Sequence, residues 1–277
     1  MKQTLHWNRS ALLASPLYQP LQPILQRLAD GEFPTPDDCN RLLDNQPITV
    51  QIGLPLCFIA QQSGKPSFES QYEPRCYLRG EVQMRERNWH DLFNALVWMT
   101  FPRMKAAANA RHYLAMTAGA QDSSRGAARD MATLFDESGV IVVCADAALG
   151  ELLKDFQWRE LFWQRRAQVK AGMDFYIFGH GLYEKALHPY TGMTGQGLIL
   201  PVEQEFFSQP LAQRLMHLDK LLADYLLAPQ HCRSPRELSP VPLLGLPGWT
   251  VQNECAEYYA NAAYFRPGRR ADKISEP

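Results

Sequence analysis

Residues 88–102, NWHDLFNALVWMTFP, decide how the middle of the chain folds. Apolar side chains recur through this stretch at three- and four-residue spacings, which predicts a buried helix from Trp89 to Thr100. Asn88 is suited to cap the start of this helix, and Pro102 is suited to the first position of a second one. We therefore expect two consecutive helices that meet at a proline corner.

Polar residues interrupt the apolar surface of the first helix at His90, Asp91 and Asn94. A solvated face would normally carry Lys, Glu or Arg, so these residues, framed by aromatic ones, predict a polar stripe that faces a cleft. The alternative is structural: Asn88 or Asp91 caps the helix, and His90 is a hydrogen-bonded core histidine.

The second helix, predicted to run to about Ala118, carries a polar stripe of its own. Lys105, Asn109 and His112 follow one another at spacings of four and three residues. The opposite, packing side is predicted to consist of Ala107, Ala110, Leu114 and Ala118. If the two helices are antiparallel, His90 and His112 face a common cavity, as in two-ligand metal sites and acid–base pairs. A surface or structural role for His112 is the alternative.

Cationic residues continue on a third predicted helix, over residues 124–135. Arg125 and Arg129 are one helical turn apart and, together with Lys105, are predicted to bind an anionic small molecule. Guanidinium groups match the oxygens of carboxylates and phosphates, although a structural pair with Asp130 is the alternative. Residues 75–129 hold nine Lys or Arg against four Asp or Glu, so the positive charge is local.

The stretch FGHGLYEK, residues 178–185, predicts a strand end followed by a short helix. His180 and Glu184 are one turn apart on this helix and at the carboxyl end of a strand, where α/β folds place their sites. They could bind a divalent metal ion together, or Glu184 could orient His180 as a general base. A purely local hydrogen bond between them is the alternative.

The other elements predict a mixed α/β (or α+β) fold. Val140–Cys144 and Met173–Phe178 are predicted strands, residues 136–139 a turn, residues 192–197 a glycine-rich loop, and residues 211–227 an amphipathic helix. We expect a helix-rich single domain over residues 1–277 with a small sheet. The proline-rich residues 234–277 are expected to form an extended arm that wraps it.

Composition narrows the classes of protein. The chain has 277 residues and a net charge of −1, which argues against a nucleic-acid partner held by bulk charge. It has no apolar run long enough for a signal peptide or a membrane span, and its six cysteines show no zinc or disulfide pattern. We expect a cytoplasmic protein without membrane contact; the oligomeric state is not predicted.

Five motifs together resemble one known family. They lie at Arg87–His112, at Leu134–Glu137 followed by Gly139, at Phe178–His180, at Pro242–Trp249 and at Tyr264–Pro267. The chain resembles, over nearly its whole length, a bacterial family known as domain of unknown function 3025. The resemblance implies a single domain in a cytoplasmic bacterial protein, and it assigns no reaction, cofactor or catalytic residue.

The histidine-containing stripes favour an enzyme, with metal-dependent hydrolysis of an anionic small molecule as the leading hypothesis. Its catalytic residues are predicted to be His90, Asp91, Asn94, His112, His180 and Glu184. A divalent metal ion is the predicted cofactor, with His90, His112, His180 and Glu184 as candidate ligands. One alternative is a non-catalytic binding module that uses Trp89, Trp98, Trp249 and the C-terminal arm. A further alternative is nucleic-acid contact through residues 75–129.

Overall fold

The structure, a computed structural model, describes residues 6–44, 46–62, 64, 67–117, 123–228 and 230–268. The α-helices in this part of the chain are α1 (Arg9–Ala14), α2 (Gln22–Leu25), α3 (Pro36–Leu43), α4 (Tyr72–Arg79), α5 (Trp89–Thr100), α6 (Pro102–Thr117), α7 (Ser123–Ser138), α8 (Ala147–Lys154), α9 (Arg166–Gly172), α10 (His180–Ala186) and α11 (Leu211–Leu227). The strands are β1 (Cys57–Ala60), β2 (Glu81–Met84), β3 (Gly139–Cys144), β4 (Met173–Ile177), β5 (Thr194–Pro201) and β6 (Ser239–Pro242). Helices outnumber strands, and the predicted mixed α/β class is confirmed. None of the described helices combines the length and the apolar character that crossing a bilayer requires.

The described residues form two compact units. Unit 1 draws on Met1–Gly139, Ile177–Leu187 and Gln209–Glu237. Unit 2 draws on Val140–Tyr176, His188–Ser208 and Leu238–Pro277. A single domain over residues 1–277, wrapped by an arm at residues 234–277, stays a prediction.

Unit 2 is built on a four-stranded sheet with the order β4-β3-β5-β6. Every residue of β3 is buried, as its continuous β-branched run predicts. The predicted loop at residues 192–197 is wrong from Thr194 onward, because β5 begins there and pairs antiparallel with β6. Gly197 explains the difference: a Cβ atom there would lie 2.6 Å from the Val241 side chain, so this glycine allows close strand packing rather than a loop.

Unit 1 is mainly helical and adds a parallel pair of strands, β1 with β2. Helix α5 begins at Trp89 as predicted, because the Asn88 side chain accepts a hydrogen bond from the Asp91 backbone N–H at 3.0 Å. Helix α5 packs against α10, and α6 packs against α4, α7 and α11. The aromatic rings of Tyr18, Phe93 and Tyr183 stack on one another beside α5 and α10.

The turn predicted at residues 136–139 is wrong. Helix α7 continues through Ser138, and β3 begins at the next residue, Gly139. A Cβ atom at Gly139 would lie 2.3 Å from the Phe135 carbonyl oxygen, so only glycine allows the helix to pass directly into the strand. Asp136 and Glu137 therefore belong to the last turn of a helix.

The polar stripe on α6 faces the interior of unit 1. Lys105, Asn109 and His112 are all buried, whereas Leu114, predicted for the packing side, keeps 56% of its surface exposed. Burying polar groups costs free energy unless they find partners, and here they do: Lys105 binds Asp136, and Asn109 binds Glu73. The interior of unit 1 thus contains a polar cluster.

Candidate metal centre

Two histidine side chains meet in unit 1. His90 lies in the first turn of α5, and His180 is the first residue of α10. Their Nε2 atoms are 3.0 Å apart, and their rings are nearly perpendicular. The packing of α5 against α10 brings together two residues that are 90 positions apart in the sequence.

Glu137 completes a group of three potential ligands. Its Oε1 atom lies 3.5 Å from Nε2 of His180 and 3.9 Å from Nε2 of His90. Two ligands that are each about 2.1 Å from one ion, at a tetrahedral angle, are about 3.4 Å apart. Among the described residues, these three form the group whose spacing fits a single metal ion.

The far side of each imidazole ring faces a second carboxylate. His90 Nδ1 is within hydrogen-bond distance of Oε2 of Glu184, at 3.1 Å, whereas His180 Nδ1 lies 3.5 Å from Oδ2 of Asp136 and makes no hydrogen bond. With both protons on Nδ1, both Nε2 atoms keep a lone pair that can bind an ion. Carboxylates in this outer position fix the tautomer of metal-binding histidines.

Two glycines make room for this arrangement. A Cβ atom at Gly181 would lie 2.6 Å from Oε2 of Glu137, and one at Gly179 would lie 2.5 Å from the backbone nitrogen of Gly139. Any larger residue would force α10 away from the end of α7. The glycines on either side of His180 therefore allow its ring to reach Glu137.

A buried ion pair between Lys105 and Asp136 lies beside the candidate metal centre, on the Nδ1 side of the His180 ring. Lys105 Nζ lies 2.5 Å from Oδ1 of Asp136, and the two side chains are only 3% and 16% exposed. Burial alone would raise the pKa of Asp136, but the charge and hydrogen bond of Lys105, together with His180, lower it to about 2. Asp136 is therefore an anion at neutral pH, and Lys105 is already occupied by it.

The three potential ligands border a cavity of about 400 Å³. Every lining residue carries a polar side-chain group; the residues are Tyr72, Glu73, Gln83, Arg85, His90, Asp91, Asn94, His112, Thr133, Asp136, Glu137 and His180. Burial lowers the pKa of His112, so this histidine is neutral at pH 7. A polar cavity beside three convergent ligands is suited to bind a small polar molecule.

Glu73 is a carboxyl group of this cavity whose pKa is raised. Burial raises its pKa to about 7, although a hydrogen bond from Asn109 acts in the opposite direction. Because its pKa is higher in the folded protein, the folded state holds more protons than the unfolded state between pH 4.5 and pH 7. Glu73 therefore reduces stability as the pH rises through that range.

Glu73→Gln is expected to make the metal-free protein more stable by about 1–2 kcal/mol above pH 7, because glutamine keeps the acceptor for Asn109 and carries no charge. The gain should vanish below pH 4.5, the ordinary pKa of glutamate. Urea unfolding of EDTA-treated protein at pH 4 and pH 8 measures it. Glu32→Gln, at a side chain that is 94% exposed, is the control. A variant that is less stable than the wild type at pH 8 would contradict the prediction.

The structure places the predicted catalytic residues close together. The cavity lining includes His90, Asp91, Asn94, His112 and His180. Glu184 contacts His90 from outside the cavity. Asp91 is held by both Nε and Nη2 of Arg85, at 2.8 Å each. The structure thus brings the stripes of α5, α6 and α10 to one cavity, with Asp91 already paired.

The predicted anion-binding residues are placed differently. Lys105 is buried against Asp136, and Arg129 is exposed and is not part of the cavity lining. The side chain of Arg125 lies outside the described part of the structure. Their role in binding a substrate stays a prediction.

The sequence reasoning missed four charged residues of the cavity lining: Glu73, Arg85, Asp136 and Glu137. The last two were assigned to a turn, although they belong to one of the motifs behind the family resemblance. Reading α7 through to Ser138 would have placed Glu137 beside the FGHG motif. No sequence signal marked Glu73, since it became a cavity residue only through the packing of α4 on α6.

Comparison with protein families gives one match. The model described as "Protein of unknown function (DUF3025)" matches residues 56–269. Searches of curated proteins and of solved structures gave no match. The matched region includes the three potential metal ligands and the whole cavity lining. Since it covers well over half of the sequence, the chain belongs to the DUF3025 family.

Proposed function

We propose that the protein is a metal-dependent hydrolase whose ion is bound by Nε2 of His90, Nε2 of His180 and the carboxylate of Glu137. The observation that carries the proposal is the 3.0 Å distance between the two Nε2 atoms, with Oε1 of Glu137 at 3.5 and 3.9 Å. Three acceptors that converge in this way are stabilised by a cation.

The three ligands are more typical of a catalytic metal ion than of a purely structural one. Two histidines and one glutamate form the ligand set of several zinc hydrolases, and three protein ligands leave a coordination position for water or substrate. A bound divalent ion would activate water as a nucleophile at neutral pH. The cavity beside the three ligands gives a substrate access to that position.

The binding-module alternative receives less support from the aromatic residues on which it rests. Trp98 is completely buried, and its Nε1 atom donates to the hydroxyl of Tyr72 at 3.2 Å. Trp89 packs against the rings of Trp7, Phe33 and Phe93. These two tryptophans therefore serve the core of unit 1, which favours the enzyme proposal.

Metal analysis of the purified protein tests the proposal. We expect about one equivalent of zinc or another divalent transition metal per chain, and metal-dependent hydrolysis in a panel of ester, amide and phosphoester substrates. His90→Ala and His180→Ala should remove both the ion and the hydrolysis. His112→Ala is the matched control for metal content and should keep the ion, because His112 lines the same cavity but is not one of the three ligands.

Two results would overturn the proposal. One is a wild-type protein that binds no divalent transition metal even after the metal is added back. The other is metal binding or hydrolysis that persists in His90→Ala and His180→Ala, because the ion would then lie elsewhere.

A further inference from the structure

Four carboxylates line the cavity, and three of them have a cationic partner or belong to the proposed metal centre. Asp91 is paired with Arg85, Asp136 with Lys105, and Glu137 lies beside His180. The remaining carboxylate is Glu73, which accepts a hydrogen bond from the neutral amide of Asn109. Among the described residues, no Lys or Arg lies within ion-pair distance of Glu73.

Glu73 is partly shielded from water and has no counter-charge at ion-pair distance, which is costly for a carboxylate, and its raised pKa reflects that cost. Lys105 is the nearest candidate, but its ammonium group is already bound to Asp136. Replacing that pairing would leave another buried carboxylate alone. Glu73 is therefore neutralised either by taking up a proton, as its raised pKa reflects, or by pairing with a cation from outside the chain.

Asn94 supplies a second, independent sign of a missing ligand. Its side chain is only 6% exposed and lines the cavity. Its amide nitrogen donates to the hydroxyl of Tyr72 at 2.8 Å, while its Oδ1 atom has no hydrogen-bond partner in the described structure. Tyr72 precedes Glu73 in α4, so a free acceptor and an unpaired carboxylate occur on the same wall of the cavity.

Groups that would hold an anion are scarce on the cavity wall. Arg85 is the only Lys or Arg among the described lining residues, and two nitrogens of its guanidinium group are bound to Asp91. Acceptors in the wall of a cavity favour a ligand that donates hydrogen bonds, because a ligand that only accepts them would leave the wall acceptors unpaired.

We infer that the cavity binds a small molecule that carries a positively charged amino group, which Glu73 and the Oδ1 atom of Asn94 recognise. The part of this inference that places another end of the molecule at the metal centre rests on the proposed function. The recognition of the amino group does not. The substrate class is thus a small amine with a hydrolysable bond.

Three hydroxamates of matched length test the inference, because the hydroxamate group binds divalent metal ions. They are 3-aminopropanohydroxamic acid with a cationic tail, butyrohydroxamic acid with a neutral tail, and succinic monohydroxamic acid with an anionic tail. For the zinc-loaded wild-type protein, calorimetry should show the cationic probe binding about tenfold more tightly than the neutral one, as expected for one charge-assisted hydrogen bond. The anionic probe should bind most weakly.

Glu73→Gln is the decisive variant because it keeps the shape and the bond to Asn109 while removing the charge. The cationic and neutral probes should then bind within about twofold of each other. If Glu73 only balances the charge of the ion, Glu73→Gln will weaken zinc binding and leave the order of the probes unchanged, which would overturn the inference. Tightest binding of the anionic probe would overturn it as well and favour an anionic substrate.

A metal-free measurement separates this inference from the proposed function. In EDTA-treated protein, propylammonium should perturb the side-chain NMR signals of Asn94, and 1-propanol at equal concentration should not. The response should persist in His90→Ala and disappear in Glu73→Gln. If no hydroxamate binds but propylammonium still does, the metal proposal fails and the amine site stands. If propylammonium and 1-propanol act alike, the amine site fails whatever the metal does.

Discussion

Asp136→Asn is expected to lower the free energy of unfolding by about 3–5 kcal/mol at pH 7, the cost of leaving a buried charge without its partner. The ammonium group of Lys105 is 3% exposed and bonds to Asp136 at 2.5 Å, and the nearby ring of Trp98 offers much weaker compensation. Asparagine has nearly the same shape as aspartate, so the loss reports charge rather than packing. Urea unfolding followed by circular dichroism measures it.

Two further variants isolate the cause. Glu69→Gln removes the acid of an exposed ion pair with Arg79 in the same unit and should cost less than about 1 kcal/mol. Lys105→Met combined with Asp136→Asn removes both charges and should be more stable than Asp136→Asn alone. If the double variant is the less stable of the two, the buried ammonium is not the source of the loss.

The pH dependence of this effect has a definite sign. The pKa of Asp136 is lowered from 3.8 to about 2, so the carboxylate stabilises the folded protein above pH 3.8. That contribution is lost as the pH falls through 2. The difference between wild type and Asp136→Asn should therefore be constant from pH 5 to pH 8 and shrink only in strong acid.

Glu137→Gln is expected to lower the affinity for a divalent metal by at least about a hundredfold, since a structural zinc site gains about 10–16 kcal/mol from four ligands. Glu184→Gln should lower it by only about tenfold, because Glu184 contacts the far side of the His90 ring. Competition with a coloured chelator measures both values. The graded order follows from which nitrogens the two carboxylates face: Glu137 lies beside both Nε2 atoms, whereas Glu184 lies beside Nδ1 of His90.

Asp91→Asn provides the matched control for this series. Asp91 lines the same cavity, but its carboxylate is bound to Arg85 and takes no part in the group of three ligands. Its replacement should change the metal affinity by less than about threefold. Equal losses in Glu137→Gln and Asp91→Asn would show that the ion responds to the overall charge of the cavity rather than to a ligand.

The sequence predicted the elements that depend on local signals. The helix at Trp89–Thr100 has a strong apolar period and an asparagine cap, and the helix at Leu211–Leu227 was predicted with the observed boundaries. The buried strand at Val140–Cys144 followed from its β-branched run. Local periodicity and capping are properties of consecutive residues, so they can be recognised in a single sequence.

The parts that the sequence did not reveal depend on contacts between distant residues. Asp136 and Glu137 have the composition of a turn. Only the ion pair with Lys105, 31 residues earlier, explains why a buried helix end tolerates Asp136. The structure contains the predicted stripe of Lys105, Asn109 and His112, but the sequence did not predict the residues that pair with it. A pattern on one helix shows that polar groups face inward and does not show what they meet.

The glycines beside His180 have a consequence for recognising this centre in other sequences. All three ligand side chains could be kept while a single added methyl group at Gly181 pushed the carboxylate of Glu137 out of place. The sequence signature of the site therefore includes the two glycines, whose missing side chains leave the space that the site needs. A search pattern that requires His90, Glu137 and His180 but accepts any neighbours would admit chains unable to assemble the site, whereas one that demands G-H-G after the strand would not.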